Sequence, residues 1–438
     1  MKQIRFSVLT LILTLMLDVK LFSQEIVMIS KAELETKSLE NNLQIKLANS
    51  EIRLAETELL QSRAMYLPNV NATYTFTNTN NPLMAFGSKL NQERISVQDF
   101  NPDNLNHPKS ISNFATKVEI RQPIINMDAV YLKKAGNVKV DVMKIKAERT
   151  EEYVRFELNK AYMMLQLAYK MLETLENAKE TTLANRKVIE NYYQNGMIQK
   201  SEVLYIDVRI SEIESQIQVA KSNIKNASDF LYFLLDENSE NKILKPAEPL
   251  EYRENMPDFD SKLDENRKDL QAYQKSLEAY EWLIKSEKSK FIPTLNAFGS
   301  FEMYDEKIAN FNANGYFAGI QLSWNVFDGL RSKSEQQKYA AELSKTRAEI
   351  EQYSKQSRLE LGKSVNQILD AEAKVGFTKQ AWEQSQEAYR IRKNRYDQGL
   401  EKSADLLSAE TLMSQKELEY RQAVFEYNVA WEYNEFLK

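Results

Sequence analysis

The sequence predicts a mainly α protein that carries a membrane β-barrel, built from two structural repeats, each a long helical hairpin plus two strands. Three observations support this. YYQNGMIQKSEVLYID, Tyr192 to Asp207, returns as RYDQGLEKSADLLSAE, Arg395 to Glu410, at one constant offset. The nine prolines all lie outside two very long helical stretches. Four short segments alternate apolar and polar residues, two in each half.

The chain has 438 residues with a formal charge of −5 and 28% charged residues, so it offers no basic stripe for tracking phosphates, and nucleic acid is excluded as a partner. Its N-terminus, MKQIRFSVLTLILTLMLDVKLFSQE, places Lys2 and Arg5 before an apolar core from Phe6 to Leu17 and small Ser23 after it. That is the layout of a cleaved secretory signal over 1–23. The core is too short for a spanning helix, which needs about 20 residues. No later segment is apolar enough to span, so any membrane passage must use strands. With no cysteine there is neither a disulfide nor an N-terminal lipid site.

The first repeat is assigned to 24–238, an inter-repeat linker to 239–258, and the second repeat to 259–438. In the first, Leu158, Ala161, Leu165, Ala168, Leu172 and Leu175 are spaced three and four apart, the seam of packed helices. In the second, Leu361, Ile368, Val375, Trp382, Tyr389 and Tyr396 recur once per heptad. A helix of about seventy residues would be about 105 Å long. Each such helix ends near Tyr193 or Tyr396, turns at Gly196 or Gly399, where glycine suits the left-handed conformation after a helix end, and returns as a shorter helix. Glu202 and Asp405 fall in the first turns of the return helices, where acidic side chains favour the dipole.

The strands are expected at about 69–79, 113–122, 294–304 and 315–326. After YLPNV, Val70, Ala72, Tyr74 and Phe76 alternate with Asn71, Thr73, Thr75 and Thr77. After FIPTL, Leu295 to Met303 alternate with Asn296 to Glu302, and the last strand places Ile320 opposite in face to Gln321. Pro123 is expected to end the second strand, and Asn80 to Ser112 to be a long polar loop. Tyr66, Phe291 and Trp324 stand at one end of the apolar faces, Tyr304 and Tyr316 at the other, as membrane-interface aromatics. Alternation alone fits a soluble sheet equally well. The export signal and the placement of strand pairs between very long helices favour a barrel. Four strands cannot close one without leaving backbone groups unpaired in lipid, so several chains must share it. Two chains would give eight strands and a filled interior; three give twelve and a lumen, which suits the polar inner face.

These pieces resemble the TolC-like outer membrane efflux proteins over essentially the whole mature chain. The resemblance rests on the paired turns YQNGMIQKSEVL and YDQGLEKSADLL, the junctions YLPNV and FIPTL, and the strand-to-helix junctions RQPIINMD and SWNVFDGL. It implies a homotrimer with a twelve-stranded outer-membrane barrel continued by an α-helical tunnel in the periplasm, serving as an exit duct for an inner-membrane pump and a periplasmic membrane-fusion adaptor. It places Gly196, Met197, Gly399 and Leu400 at an adaptor-binding tip and Ser201, Glu202, Glu401, Lys402 and Asp405 at a periplasmic gate. Two positions depart from the family. Where tips can carry a basic residue two places after the second glycine, this chain has Glu401, and an acidic ring position is Ser408.

No enzymatic constellation is legible. His107, the only histidine, lies in a loop; there is no metal-ligand spacing and no phosphate cradle, so no cofactor or metal is expected. The alternative to a channel is an exported coiled-coil scaffold or tether, which explains the heptads and turns but not four symmetric alternating segments.

Overall fold

A computed structural model describes residues 25–254, 263–264 and 266–438. The expected signal segment 1–23 and part of the inter-repeat linker lie outside the described residues. The chain forms two compact units.

The first unit comprises Ser50–Lys146 and Lys268–Gln352. Its centre is a four-stranded sheet of β2 (Asn69–Thr79), β3 (Ile111–Ile125), β5 (Thr294–Asp305) and β6 (Ala313–Ser323), paired antiparallel in the order β2-β3-β5-β6. Each repeat supplies one hairpin, and β3 joins β5 with Val118 opposite Phe301 and Lys117 opposite Glu302. The sheet is open: among the described residues the outer edges of β2 and β6 pair with nothing.

β3 does not stop at Pro123. It runs on to Ile125 through a register shift between Pro123 and Ile125. A bulge is one of the few places where a strand tolerates a residue without an N–H. β6 ends at Ser323, so Trp324 lies beyond the strand, where its indole N–H donates to the Phe291 carbonyl at 3.0 Å.

The segment between β2 and β3 is not a bare loop. It holds helix α3 (Pro82–Asn91), a 3-10 turn (Val97–Phe100) and the short α4 (Pro102–Asn106). The cause is local and readable. Asn81 and Asn101 each cap an N-terminus, accepting from the Met84 and Asp103 amides, and each is followed by proline at the first helical position. Gln92 then pins this insert to the sheet, its amide donating to the Ser112 and Asp305 carbonyls at 2.9 and 3.1 Å. Beside the sheet, Ala55 and Leu59 of α2 (Leu43–Ala64) pack on Val140 of α5 (Met127–Gln194). Val138 and Val142 of α5 pack on Ala272 of α7 (Lys268–Ser289).

The described residues of the second unit lie within Met1–Asn49, Ala147–Arg267 and Tyr353–Lys438. The unit contains α5 from Ala147 on and α8 (Arg331–Asp397) from Tyr353 on, with their return helices α6 (Lys200–Leu234) and α9 (Ser403–Leu437). Leu158, Ala161, Leu165, Ala168 and Leu175 are buried, with Leu172 packed at the edge of the same cluster. Leu361, Ile368, Val375, Tyr389 and Tyr396 are buried along α8, and Trp382 is half-buried. The heptad pattern therefore marks the packed seam of each hairpin.

One pairing has no counterpart in the sequence reading. β1 (Glu25–Ile29) lies parallel to β4 (Lys242–Pro246), next to α1 (Lys31–Asn41) and the Leu158 cluster. The Leu244 amide donates to Ser228 Oγ at 2.9 Å, and the Tyr162 hydroxyl donates to the Ile29 carbonyl at 3.2 Å and to Glu248. Neither strand alternates: β1 reads EIVMI, a run of four apolar residues, and β4 reads KILKP, too short to announce itself.

Candidate functional site

The two glycine turns have the same construction. Gly196 and Gly399 both have φ of +71°, the left-handed region open to glycine at little cost. The Gly196 amide donates to the Tyr193 carbonyl and the Met197 amide to Tyr192, both at 2.9 Å. Gly399 donates to Tyr396 and Leu400 to Arg395 at the same distances. These paired bonds satisfy the last carbonyls of each long helix, a Schellman ending. They leave the residue after each glycine pointing out: Met197 is 71% exposed and Leu400 64%.

Behind the turns the two hairpins share one apolar cluster. Ile189, Val203 and Ile206 of the first repeat pack with Tyr389, Tyr396, Leu406 and Leu407 of the second. Tyr192 and Tyr396, the helix-end aromatics, meet at 5.7 Å. The gate residues expected from the sequence fall around this cluster unequally. Ser201 and Lys402 are exposed, and Glu202 is half-buried, with one carboxylate oxygen lacking a hydrogen-bond partner among the described residues. Glu401 accepts from Arg392 at 2.7 Å and Arg395 at 2.8 Å, and Arg392 also lies 3.9 Å from Asp405. Glu401, the departure from the family position, is therefore neutralised inside its own hairpin. RIRKNRYDQGLEK holds both arginines, but their meeting with Glu401 depends on the turn's geometry.

Two ion pairs here were missed by sequence reasoning. Arg186 donates to Asp207 at 2.6 Å, tying α5 to α6 within the first hairpin on a partly exposed surface. Arg209 of α6 donates to Glu410 of α9 at 3.1 Å, tying the first hairpin to the second. Glu410 is fully buried and the Arg209 side chain is 9% exposed. Burial pushes the Glu410 carboxyl above the usual carboxylate range, and Arg209 only partly pulls it back. Asn185 adds a buried bond across the same seam, donating to the Tyr389 hydroxyl at 3.2 Å.

In the sheet unit the two faces differ as alternation requires. Tyr74, Phe76, Val118, Ile120, Phe301, Tyr316, Ile320 and Leu322 are large apolar side chains left exposed. The registers put them on one face. On the other, Lys117 lies 3.2 Å from Glu119 and 3.5 Å from Glu302, and Arg121 lies 3.0 Å from Glu119. Of the aromatics expected at the membrane interface, Tyr316 and Trp324 are exposed, Phe291 less so, and the Tyr66 carbonyl accepts from Gln122. Tyr304 differs from expectation. It follows Glu302 by two residues, so the period of two puts it on the polar face, where its hydroxyl bonds Glu302.

His107 ends α4 as its cap, its amide donating to the Asp103 carbonyl. Among the described residues no three metal-type side chains gather, and no helix is long and apolar enough to cross a membrane.

Residues 261–432, which hold β5, β6 and the Gly399 turn, match the outer membrane efflux protein family. The first half, outside that match, repeats the same order of strands, long helix and glycine turn. Solved structures agree at the level of fold. A membrane protein from Pseudomonas aeruginosa superposes with a TM-score of 0.77 at 16% identity, covering 96% of this chain and 95% of that one. The outer membrane protein VceC from Vibrio cholerae gives 0.72 at 15% identity, with 92% and 95% covered. The Campylobacter jejuni CmeC outer membrane channel gives 0.74 at 15% identity, with 93% and 85% covered. No curated protein matches the sequence significantly.

Proposed function

We propose that the protein is the outer-membrane exit channel of a tripartite efflux or type I secretion system. It passes substrates from a periplasmic adaptor and an inner-membrane pump to the exterior. The observation that carries this is the open sheet: four strands with a wide apolar face, an ion-paired polar face and two free edges. Free edges bearing apolar side chains are not stable in lipid or in water. Pairing β6 of one copy with β2 of the next closes a barrel, and three copies give twelve strands with room for a lumen. The apolar face then meets outer-membrane lipid and the Lys117, Glu119 and Glu302 face meets water, with Tyr66, Phe291, Tyr316 and Trp324 near the bilayer boundaries.

In this assembly the hairpin ends form the periplasmic tip. Met197 and Leu400 are the exposed apolar contacts for the adaptor, carried by Gly196 and Gly399. Ser201, Glu202, Glu401, Lys402 and Asp405 surround the gate. Native mass measurement in detergent tests the assembly, with a homotrimer expected, and a well-behaved monomer removes it. Membrane fractionation separates it from the rival, since a periplasmic scaffold is washed off by salt whereas a barrel needs detergent.

A further inference from the structure

The polar face of the sheet carries one apolar island. Asn71 and Thr73 of β2, Lys117, Glu119 and Arg121 of β3, and Asn296, Ser300 and Glu302 of β5 share this face by register. Phe298 and Phe317 stand among them, their ring centroids 5.5 Å apart and their planes 37° from parallel. Phe298 pairs with Arg121 on one side and Gly319 on the other, while Phe317 pairs with Ser300.

Part of this is ordinary sheet construction. The Phe298 ring covers Gly319 so closely that a Cβ there would come within 2.9 Å of Phe298 Cζ. Aromatic cover of a strand glycine stabilises the strand pair. That accounts for Phe298 and Gly319 but not for Phe317, which is 65% exposed on a wall of amides and charges. An unneeded exposed ring on a polar wall costs solvation, and Thr or Gln would serve the strand as well.

We infer that Phe298 and Phe317 form a stacking shelf for planar aromatic solutes travelling along the polar wall. The inference rests on the channel reading, which makes this wall the lumen. The surroundings choose the occupant. Lipid would have to cover the Lys117, Glu119, Glu302 and Arg121 side chains, which are expensive in hydrocarbon. A protein helix needs an apolar stripe several residues long, and only two rings stand here. A flat small molecule needs only one open ring face, which Phe317 provides, with Phe298 fixing its tilt. A copy in each of three chains would line the passage with three shelves.

The test is ethidium binding to the detergent-purified protein, followed by fluorescence anisotropy. Phe317→Ala should weaken binding by about two- to tenfold, the range of one aromatic contact. Phe317→Tyr should retain it. Gly319→Ala, which displaces the Phe298 ring, should weaken it as well, and tetrabutylammonium, a cation without a ring, should not compete. Equal affinity in wild type and Phe317→Ala, or full competition by tetrabutylammonium, overturns the shelf. Since the protein has no native cysteine, single cysteines at Gln321 and Ile320 report the wall independently. Labelling at Gln321 by a water-soluble maleimide in membranes, with Ile320 protected, supports the lumen, so unchanged ethidium binding then sinks only the shelf. Reversed labelling removes the channel reading and the shelf together.

Discussion

Arg209→Ala isolates one buried carboxylate at the seam between the two hairpins. Glu410 has no solvent exposure, and its charge is met at 3.1 Å by Arg209. Removing one partner of a buried pair leaves an uncompensated charge and typically costs about 3 to 5 kcal/mol. Large proteins of more than one compact unit often unfold irreversibly, so local opening is the better measure. At about 1.4 kcal/mol per tenfold, amide exchange in α6 and α9 near Val203 and Leu406 should accelerate by roughly two to three and a half powers of ten. The partly exposed pair Arg186–Asp207 is the internal control. Its side chains are 38% and 41% exposed, and such pairs contribute about 0.2 to 1 kcal/mol, so Arg186→Ala should accelerate exchange by less than about tenfold.

A double replacement distinguishes the pair's own worth from the penalty of orphaning its partner. Arg209→Met with Glu410→Leu removes both charges from an apolar seam and should return exchange to near the wild-type rate or below it, because well-packed hydrophobic substitutes often equal or exceed a buried pair. If Arg209→Ala changes exchange by less than tenfold, the carboxylate is not held as the geometry indicates. If the double variant opens as readily as the single one, the pair contributes stability outright and the desolvation argument is wrong.

The other expectations use separate parts of the molecule. Glu410 is held above the ordinary carboxylate pKa, so the folded seam binds its proton more tightly than the unfolded chain. Its contribution should therefore rise as pH falls through the raised pKa and level off below the ordinary carboxylate value. Exchange measured against pH should show this slope in wild type and lose it in the double variant. Lysine at Ile320, on the apolar face, should cost about 2 to 4 kcal/mol near a bilayer midplane, whereas lysine at Gln321 should be tolerated; equal yields of folded protein from both would contradict the lipid-facing assignment. Aspartate at Met197 or Leu400 should abolish efflux in a complementation assay without lowering trimer yield. Lys402→Glu should raise single-channel conductance, and normal efflux with unchanged conductance would leave the turns purely structural.

What the sequence disclosed followed from how local each signal is. The helical seams were legible because Leu158, Leu165, Leu361 and Ile368 recur at fixed spacing and all are buried. The turn conformation was legible because only glycine enters it cheaply, and both glycines have positive φ. The two sheet faces followed from a period of two. The capped helices in the β2–β3 segment were legible in principle from Asn-Pro at 81–82 and 101–102, but the segment's polarity masked them. The β1–β4 pairing was not legible, because its register joins residues more than two hundred positions apart with little alternation. The ion pairs were the least visible, since charges are plentiful on these helices and only packing decides which two meet.

The repeat makes the seam pair interpretable. At the constant offset that aligns Gly196 with Gly399, Asp207 corresponds to Glu410 and Arg186 to Tyr389. In the first hairpin the acidic residue finds its arginine on its own long helix. In the second that arginine is a tyrosine, whose hydroxyl accepts from Asn185 instead, so Glu410 has lost its partner within the hairpin. It turns to Arg209, whose own counterpart is Leu412, a residue that cannot answer back. Two substitutions away from exact repetition thus convert an exposed bond within one hairpin into a buried bond between two. A perfectly duplicated chain would hold each hairpin together and leave the seam to apolar contacts alone. The divergence gives the seam a directional contact, a bond that forms only when α6 and α9 meet in this register. On this reasoning, restoring the repeat with Tyr389→Arg should draw Glu410 back into its own hairpin, free Arg209 and loosen the seam. Exchange near Leu406 should then accelerate as it does in Arg209→Ala, and an unaltered rate would show that the seam does not depend on the broken symmetry.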